Sequence, residues 1–219
     1  MIVGKYVNES KVYRQARAEL LAREIALRDQ RERVAVRRRA LPTDPVSEDY
    51  DLHEMRDGVI SSLRFSGLFE KPESPLVIYH FMYGDAQTKP CPSCTMWIDG
   101  LNAVAPHVMQ RLNFAVVAAA DINDWSAWGR DRAWHHLRLV SSAGSKLKAD
   151  FNFADEDGDQ YPGVSVFVMQ EGQVRHVYSA SAILAEGEYR GIDLLTPVWH
   201  LFDLTPDGRG DWGPSLSYD

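Results

Sequence analysis

The stretch TKPCPSCTMW, residues 88–97, holds both cysteines of the chain, Cys91 and Cys94, with only Pro92 and Ser93 between them. Thiols at this spacing can cycle between dithiol and disulfide, can supply half of a tetrahedral zinc site, or can sit inert as small core side chains. A zinc site needs two further ligands, which histidine would have to provide. His135 and His136 are adjacent, and His53, His80, His107, His176 and His200 stand alone, so no pair has zinc-ligand spacing. No metal and no bound organic cofactor are expected.

What surrounds the pair favours redox chemistry. SPLVIYHFMYG, residues 74–84, is a nearly continuous apolar run bounded by Pro75 and Gly84, the pattern of a buried strand. After the cysteines, CTMWIDGLNAVAPHVMQRLN has helical spacing, with Trp97, Leu101, Val104, Val108 and Leu112 as the expected buried stripe and Pro106 as a kink. Pro92 suits a first helical turn, which places Cys91 at or just before the helix N-cap. Unpaired amides and the positive end of the helix dipole favour a thiolate there, and Cys94, one turn on, can reach back to resolve a mixed disulfide. His80 lies mid-strand and reads as a satisfied core histidine. Trp125, Trp128 and Trp134 read as packing. DEDGD at 155–159 lacks the distal glutamate of a calcium loop and reads as a solvated turn. His135 and His136 are candidates to face the cysteines across a cleft.

The rest of the chain must position this pair. Residues 10–40 read as one long helix capped by Ser10, its nine arginines interleaved with Glu19, Glu24, Asp29 and Glu32 as a solvated face. Two strands flank the Asp57-Gly58 turn. FAVVAAAD (114–121) is a second buried strand, a short helix capped at Asn123 or Asp124 follows, and RLVSSA (138–143) is a third strand. Residues 163–181 form a hairpin turning at Glu171-Gly172, with Val164, Val166 and Val168 on one side. A closing helix is interrupted at Pro197. Buried strands alternating with helices give an α/β fold with a mixed central sheet flanked by helices. The expected division is a helical extension at 1–45, the main domain at 46–204 and a polar tail at 205–219.

A net charge of −7 argues against a nucleic-acid partner. No run of about 18 apolar residues suggests a membrane span. The N-terminus lacks the apolar core of a secretory leader, and two cysteines cannot scaffold a fold, so a reducing cytoplasm is the expected compartment.

The order strand, C-x-x-C, helix, strand, then YPGVSVFVMQEGQVRHVYS resembles the thioredoxin fold. The resemblance puts Pro162 in the place of the cis-proline that faces the cysteines in that superfamily, and so implies a cis bond after Tyr161. The added hairpin and the segment between Asp121 and Pro162 resemble the peroxiredoxin branch. Over almost its whole length, through VIYHFMYG, CPSC, SSAGS, DFNF, GVSVF and DLTPDGRG, the chain is similar to a bacterial thioredoxin-like family known as domain of unknown function 899. That family has no established activity; the placement of the pair and the thioredoxin-fold resemblance imply a thiol–disulfide oxidoreductase with Cys91, Cys94 and Pro162 as its site and protein or small-molecule thiols and disulfides as partners. A non-catalytic thioredoxin-fold protein and a thiol peroxidase stand as alternatives. Thr88 sits three residues before Cys91 as in peroxiredoxins, but Gly84 stands where their proline would be, and only Arg138 or Arg175 could act as their arginine. The long helix, with Leu20, Leu21, Ile25 and Leu27, is the expected contact of a homodimer.

Overall fold

The computed structural model describes residues 8–218, so the stretch read above for a leader lies partly outside it. The chain divides into two units, Met1–Pro42 and Thr43–Asp219. In the first, α1 (Lys11–Arg39) is capped by Ser10, whose hydroxyl accepts from the Tyr13 N–H at 3.0 Å. Such a cap contributes about 1 kcal/mol. Arg37, Arg38 and Arg39 fill the last turn, where the dipole favours cations. No residue of α1 is buried, and Leu20, Ile25 and Leu27 are exposed.

The second unit is built on an eight-stranded sheet. Its strands are β1 (Asp44–Pro45), β2 (Asp51–Arg56), β3 (Val59–Arg64), β4 (Leu76–His80), β5 (Asn113–Ala118), β6 (Leu139–Ser141), β7 (Gly163–Gln170) and β8 (Gln173–Ser181). They lie in the order β1-β8-β7-β4-β5-β6-β2-β3. β4, β5 and β6 are mutually parallel, because α2 (Pro92–Val108) and α3 (Ile122–Asp131) carry the chain back between them. The β2–β3 hairpin joins one side antiparallel through β6, and the β7–β8 hairpin joins the other antiparallel through β4. A short helix, α4 (Leu147–Asp150), a small two-stranded ribbon of β9 (Ile183–Ala185) and β10 (Glu188–Tyr189), and α5 (Pro197–Phe202) complete the unit. The hairpin beside two parallel strands linked by a helix is the thioredoxin-like arrangement, here extended by β1, β2, β3 and β6.

Alternation along the central strands makes two cores. Tyr79, Val116, Ala118 and Val164 meet Cys94, Trp97, Ile98 and Trp125 from α2 and α3. Leu76, Ile78, Ala115, Val117 and Phe167 point the other way, onto Leu52, Phe65, Leu68 and Leu147. Each such large apolar side chain, fully buried, is worth roughly 1.5–3 kcal/mol, so both sheet faces are covered and the cysteine helix has a rigid seat. Two sequence expectations shift. Val104 is exposed, because the buried stripe of α2 runs instead through Cys94, Trp97, Ile98 and Ala105. The cap of α3 is Asp121, two or three residues earlier than expected, its carboxylate accepting from the Asn123 N–H at 2.8 Å.

Candidate redox site

Cys91 is the N-cap residue of α2, in extended conformation, with Pro92 opening the helix. Its own N–H donates to the Met82 carbonyl at 3.2 Å, just past β4, and its carbonyl accepts from the Thr95 N–H and hydroxyl. The sulfur is thereby aimed at the first turn, where the Cys94 N–H donates to it at 3.4 Å. Cys91 is half-buried and Cys94 fully buried, and both are free thiols.

The two thiols titrate in opposite directions. The Cys94 thiol beside the Cys91 sulfur stabilises its anion, burial opposes this, and the backbone N–H groups of Cys94 and Ser93 add to it, leaving Cys91 lowered to about 6. Burial pushes Cys94 well up, and the hydrogen bond it lends to Cys91 pushes it further. Tyr79, also buried, lies beside Cys94 and is pushed well up by burial and by that neighbour.

A second feature had no signal in the sequence. Lys148 of α4 is buried, with its amine donating to the Phe81 carbonyl at 2.7 Å and to the Gln160 side chain. Gln160 is held in turn by the Gly84 carbonyl. No carboxylate pairs with this amine among the described residues. Burial lowers it to about 7, against the opposing pull of Cys94 and Asp85. Lys148 stands in the polar run GSKLKADF, which reads as irregular with one helical turn, the turn that forms α4; only the fold brings its amine to the end of β4.

The expectations for the other residues divide. Pro162 precedes Gly163, which pairs with His80 at the end of β4, so it stands at the same end of the sheet as Met82 and Cys91. The bond after Tyr161 is trans, however, not cis. Tyr161 N–H to Phe153 and Ala182 N–H to the Pro162 carbonyl hold the segment as a straight entry into β7, so no turn is needed there. His135 and His136 do not face the cysteines. They line a cavity with Glu54, Met109 and Arg138, where β6 begins, at the opposite end of the sheet. Arg138 is bound to Glu54 at 2.8 Å, and Arg175 to Thr43 at 2.8 Å, so both are engaged away from Cys91. Trp125 and Trp134 pack with Phe81 as core. Asp155 closes its turn on the Asp157 and Asp159 N–H groups. His80 is buried as expected but only half satisfied: Nε2 meets Ser165 Oγ at 2.9 Å, and Nδ1 has no partner among the described residues. Among those residues, no three His, Cys, Asp or Glu side chains gather where a metal ion could be held, and no helix is long and apolar enough to cross a membrane.

The family model described as "Bacterial protein of unknown function (DUF899)" matches residues 3–218. The chain belongs to this family. No curated protein matches it. Solved structures similar to the chain include Prx3 from Vibrio vulnificus, reduced and in complex with hydrogen peroxide, at 10% identity over 63% of this chain and 88% of that one, with a TM-score of 0.47. The mitochondrial 2-Cys peroxiredoxin from Plasmodium falciparum is similar at 14% identity, covering 74% and 95%, with a TM-score of 0.48. A PrxQ mutant from Xylella fastidiosa is similar at 14% identity, covering 71% and 93%, with a TM-score of 0.47. At such identities a likeness says nothing of the reaction.

Proposed function

We propose that this member of the family is a thiol–disulfide oxidoreductase whose working pair is Cys91 and Cys94. The observation that carries this reading is the asymmetry of the two thiols: one half-buried sulfur at a helix N-cap, lowered to about 6, beside a fully buried one held as a thiol. At neutral pH Cys91 is therefore the nucleophile and Cys94 the resolving group. The Cys91 thiolate attacks a substrate disulfide, forming a Cys91–substrate bond and releasing the first substrate thiolate. Cys94 then loses its proton and attacks the Cys91 sulfur. The substrate's second sulfur leaves as a thiolate, and the pair is oxidised by two electrons. Protein or small-molecule disulfides are the substrates, and no bound cofactor takes part.

Pro162 belongs to the proposal as the residue that leads into β7 at the end of the sheet where Cys91 stands. Its carbonyl already accepts from Ala182, so it offers no free edge to a substrate strand. The peroxidase reading is weaker, since neither Arg138 nor Arg175 is available to a peroxide at Cys91. For assembly we keep a homodimer through α1, whose Leu20, Ile25 and Leu27 are exposed.

Trapping tests the reading. Cys94→Ser, mixed with a small disulfide at pH 7, should accumulate a stable mixed disulfide on Cys91, seen as one mass adduct. The wild type should pass through it to an internal disulfide. A Cys91 that takes no adduct in the native protein would remove the catalytic reading and leave a non-catalytic thioredoxin-fold protein.

A further inference from the structure

Resolution by Cys94 releases a proton inside the protein. Cys94 is fully buried among Tyr79, Phe81, Trp97 and Ile98, and the amine of Lys148, 2% exposed, is near enough to feel its charge. During that step the substrate covers the one half-open sulfur. The proton needs another way out.

One is built into the opposite face of the sheet. Lys148 Nζ sits on the carbonyl of Phe81, the residue after His80. The His80 ring is clamped by stacking on Phe153 at 3.7 Å, and Phe153 fills the space that a side chain at Gly163 would take. From His80 Nε2 a continuous series of contacts runs to Ser165 Oγ at 2.9 Å, on to Ser179 Oγ at 2.7 Å, and on to His176 Nε2 at 2.8 Å. His176 is half-buried and, with Ser179, Asp44, Tyr50 and Asp150, lines an open cavity of about 570 Å³. The series exists because β8 carries a bulge opposite Val166 and Phe167. In a regular strand His176 and Ser179, three residues apart, would point to opposite faces; one extra residue brings them to the same face.

We propose that His80, Ser165, Ser179 and His176 form a proton relay that carries the proton lost by Cys94, by way of Lys148, to solvent at the cavity beside β1. The proposal rests on the dithiol reading above. The four groups satisfy one another in a single polarity. With neutral His80 protonated at Nε2, each hydroxyl donates to the next group, and Ser179 donates to His176 Nε2. A proton arriving at the unpartnered His80 Nδ1 displaces one along the chain, and His176 becomes the imidazolium. Burial keeps His80 neutral, with the charges of Lys148 and His176 adding to the effect, so the proton does not rest there. Burial also lowers His176, while a backbone bond to Tyr178 and the charge of Asp44 favour its protonated form at the exit.

A chromogenic aromatic disulfide, 5,5′-dithiobis(2-nitrobenzoate), separates the two steps. The attack of Cys91 releases one coloured thiolate, and closure by Cys94 releases the second. Ser179→Ala should leave the first burst unchanged and slow the second at least tenfold, while Ser179→Thr, which keeps the hydroxyl, should restore it. His176→Gly should slow the second burst likewise and recover it on adding imidazole. A second burst within twofold of wild type in Ser179→Ala, or one in His176→Gly that imidazole does not speed, would overturn the relay. Absence of the first burst in the wild type would instead overturn the dithiol reading itself.

Discussion

Cys91 and Lys148 are two side chains whose chemistry departs from their ordinary behaviour in water in a way that can be titrated. Cys91 is lowered to about 6, so its alkylation rate should rise with pH to a midpoint near 6 and be flat above pH 7. Iodoacetamide labelling followed by mass spectrometry across pH 4–9 checks this; Cys91→Ser should show no labelling, because Cys94 is buried. Lys148 makes a statement about stability. Its folded-state value of about 7 lies below that of a free lysine, so the unfolded chain binds more protons between pH 7 and pH 10. The burial penalty is complete below pH 7 and is relieved as pH rises through that window. Lys148→Met removes this dependence. Denaturant titrations should therefore show wild type gaining on Lys148→Met as pH rises from 7 to 9, by at most about 1.4 kcal/mol per pH unit.

At the level of strands and helices, the loop between β4 and α2 determines where Cys91 sits. Gly84 has φ +98°, and a Cβ there would meet the Ala120 backbone nitrogen at 2.1 Å and the Ala119 carbonyl carbon at 2.3 Å. The position where a peroxiredoxin-like sequence would carry proline is thus pressed against the end of β5. Gly172 in the β7–β8 turn has φ +77° but open space around it. Gly172→Ala should therefore cost only the backbone term, about 1 kcal/mol. Gly84→Ala should cost about 3 kcal/mol or more, since two packed backbones must part, and it should slow Cys91 alkylation as well. Urea unfolding of the two variants beside wild type checks the contrast. The neighbouring elements were readable from local pattern: apolar runs for β4 and β5, turn residues for both hairpins, Ser10 for the start of α1. The cap of α3 was misplaced because Asp121, Asn123 and Asp124 are all good caps, and only the path of β5 selects the first.

For the molecule as a whole, α1 is a long helix with none of its residues buried. Most helix stability in proteins comes from packing rather than propensity. Its 29 residues, with Leu20, Ile25 and Leu27 exposed, should find that packing in a second copy. Light scattering should report a dimer, and Leu20→Glu combined with Leu27→Glu should convert it to monomer without lowering the Cys91 labelling rate. A monomer in wild type across a concentration series would remove the homodimer.

Reading the residues alone was enough to place Cys91 at the start of α2 with Cys94 one turn on, because that geometry is set locally: a buried strand ends, a proline starts a helix, and the N-cap sulfur meets a backbone amide of the first turn. It was enough, too, for the α/β alternation, since side-chain period and helical crossovers require parallel central strands. The surroundings of the pair were out of reach. Lys148 reaches Phe81 across 67 positions of chain, and nothing in GSKLKADF marks one lysine as buried. The series of contacts from His80 to His176 depends on strand register, and the bulge in β8 moves Ser179 opposite Ser165 by a single residue. Local composition does not encode such a shift; it arises when both faces of the sheet are packed at once.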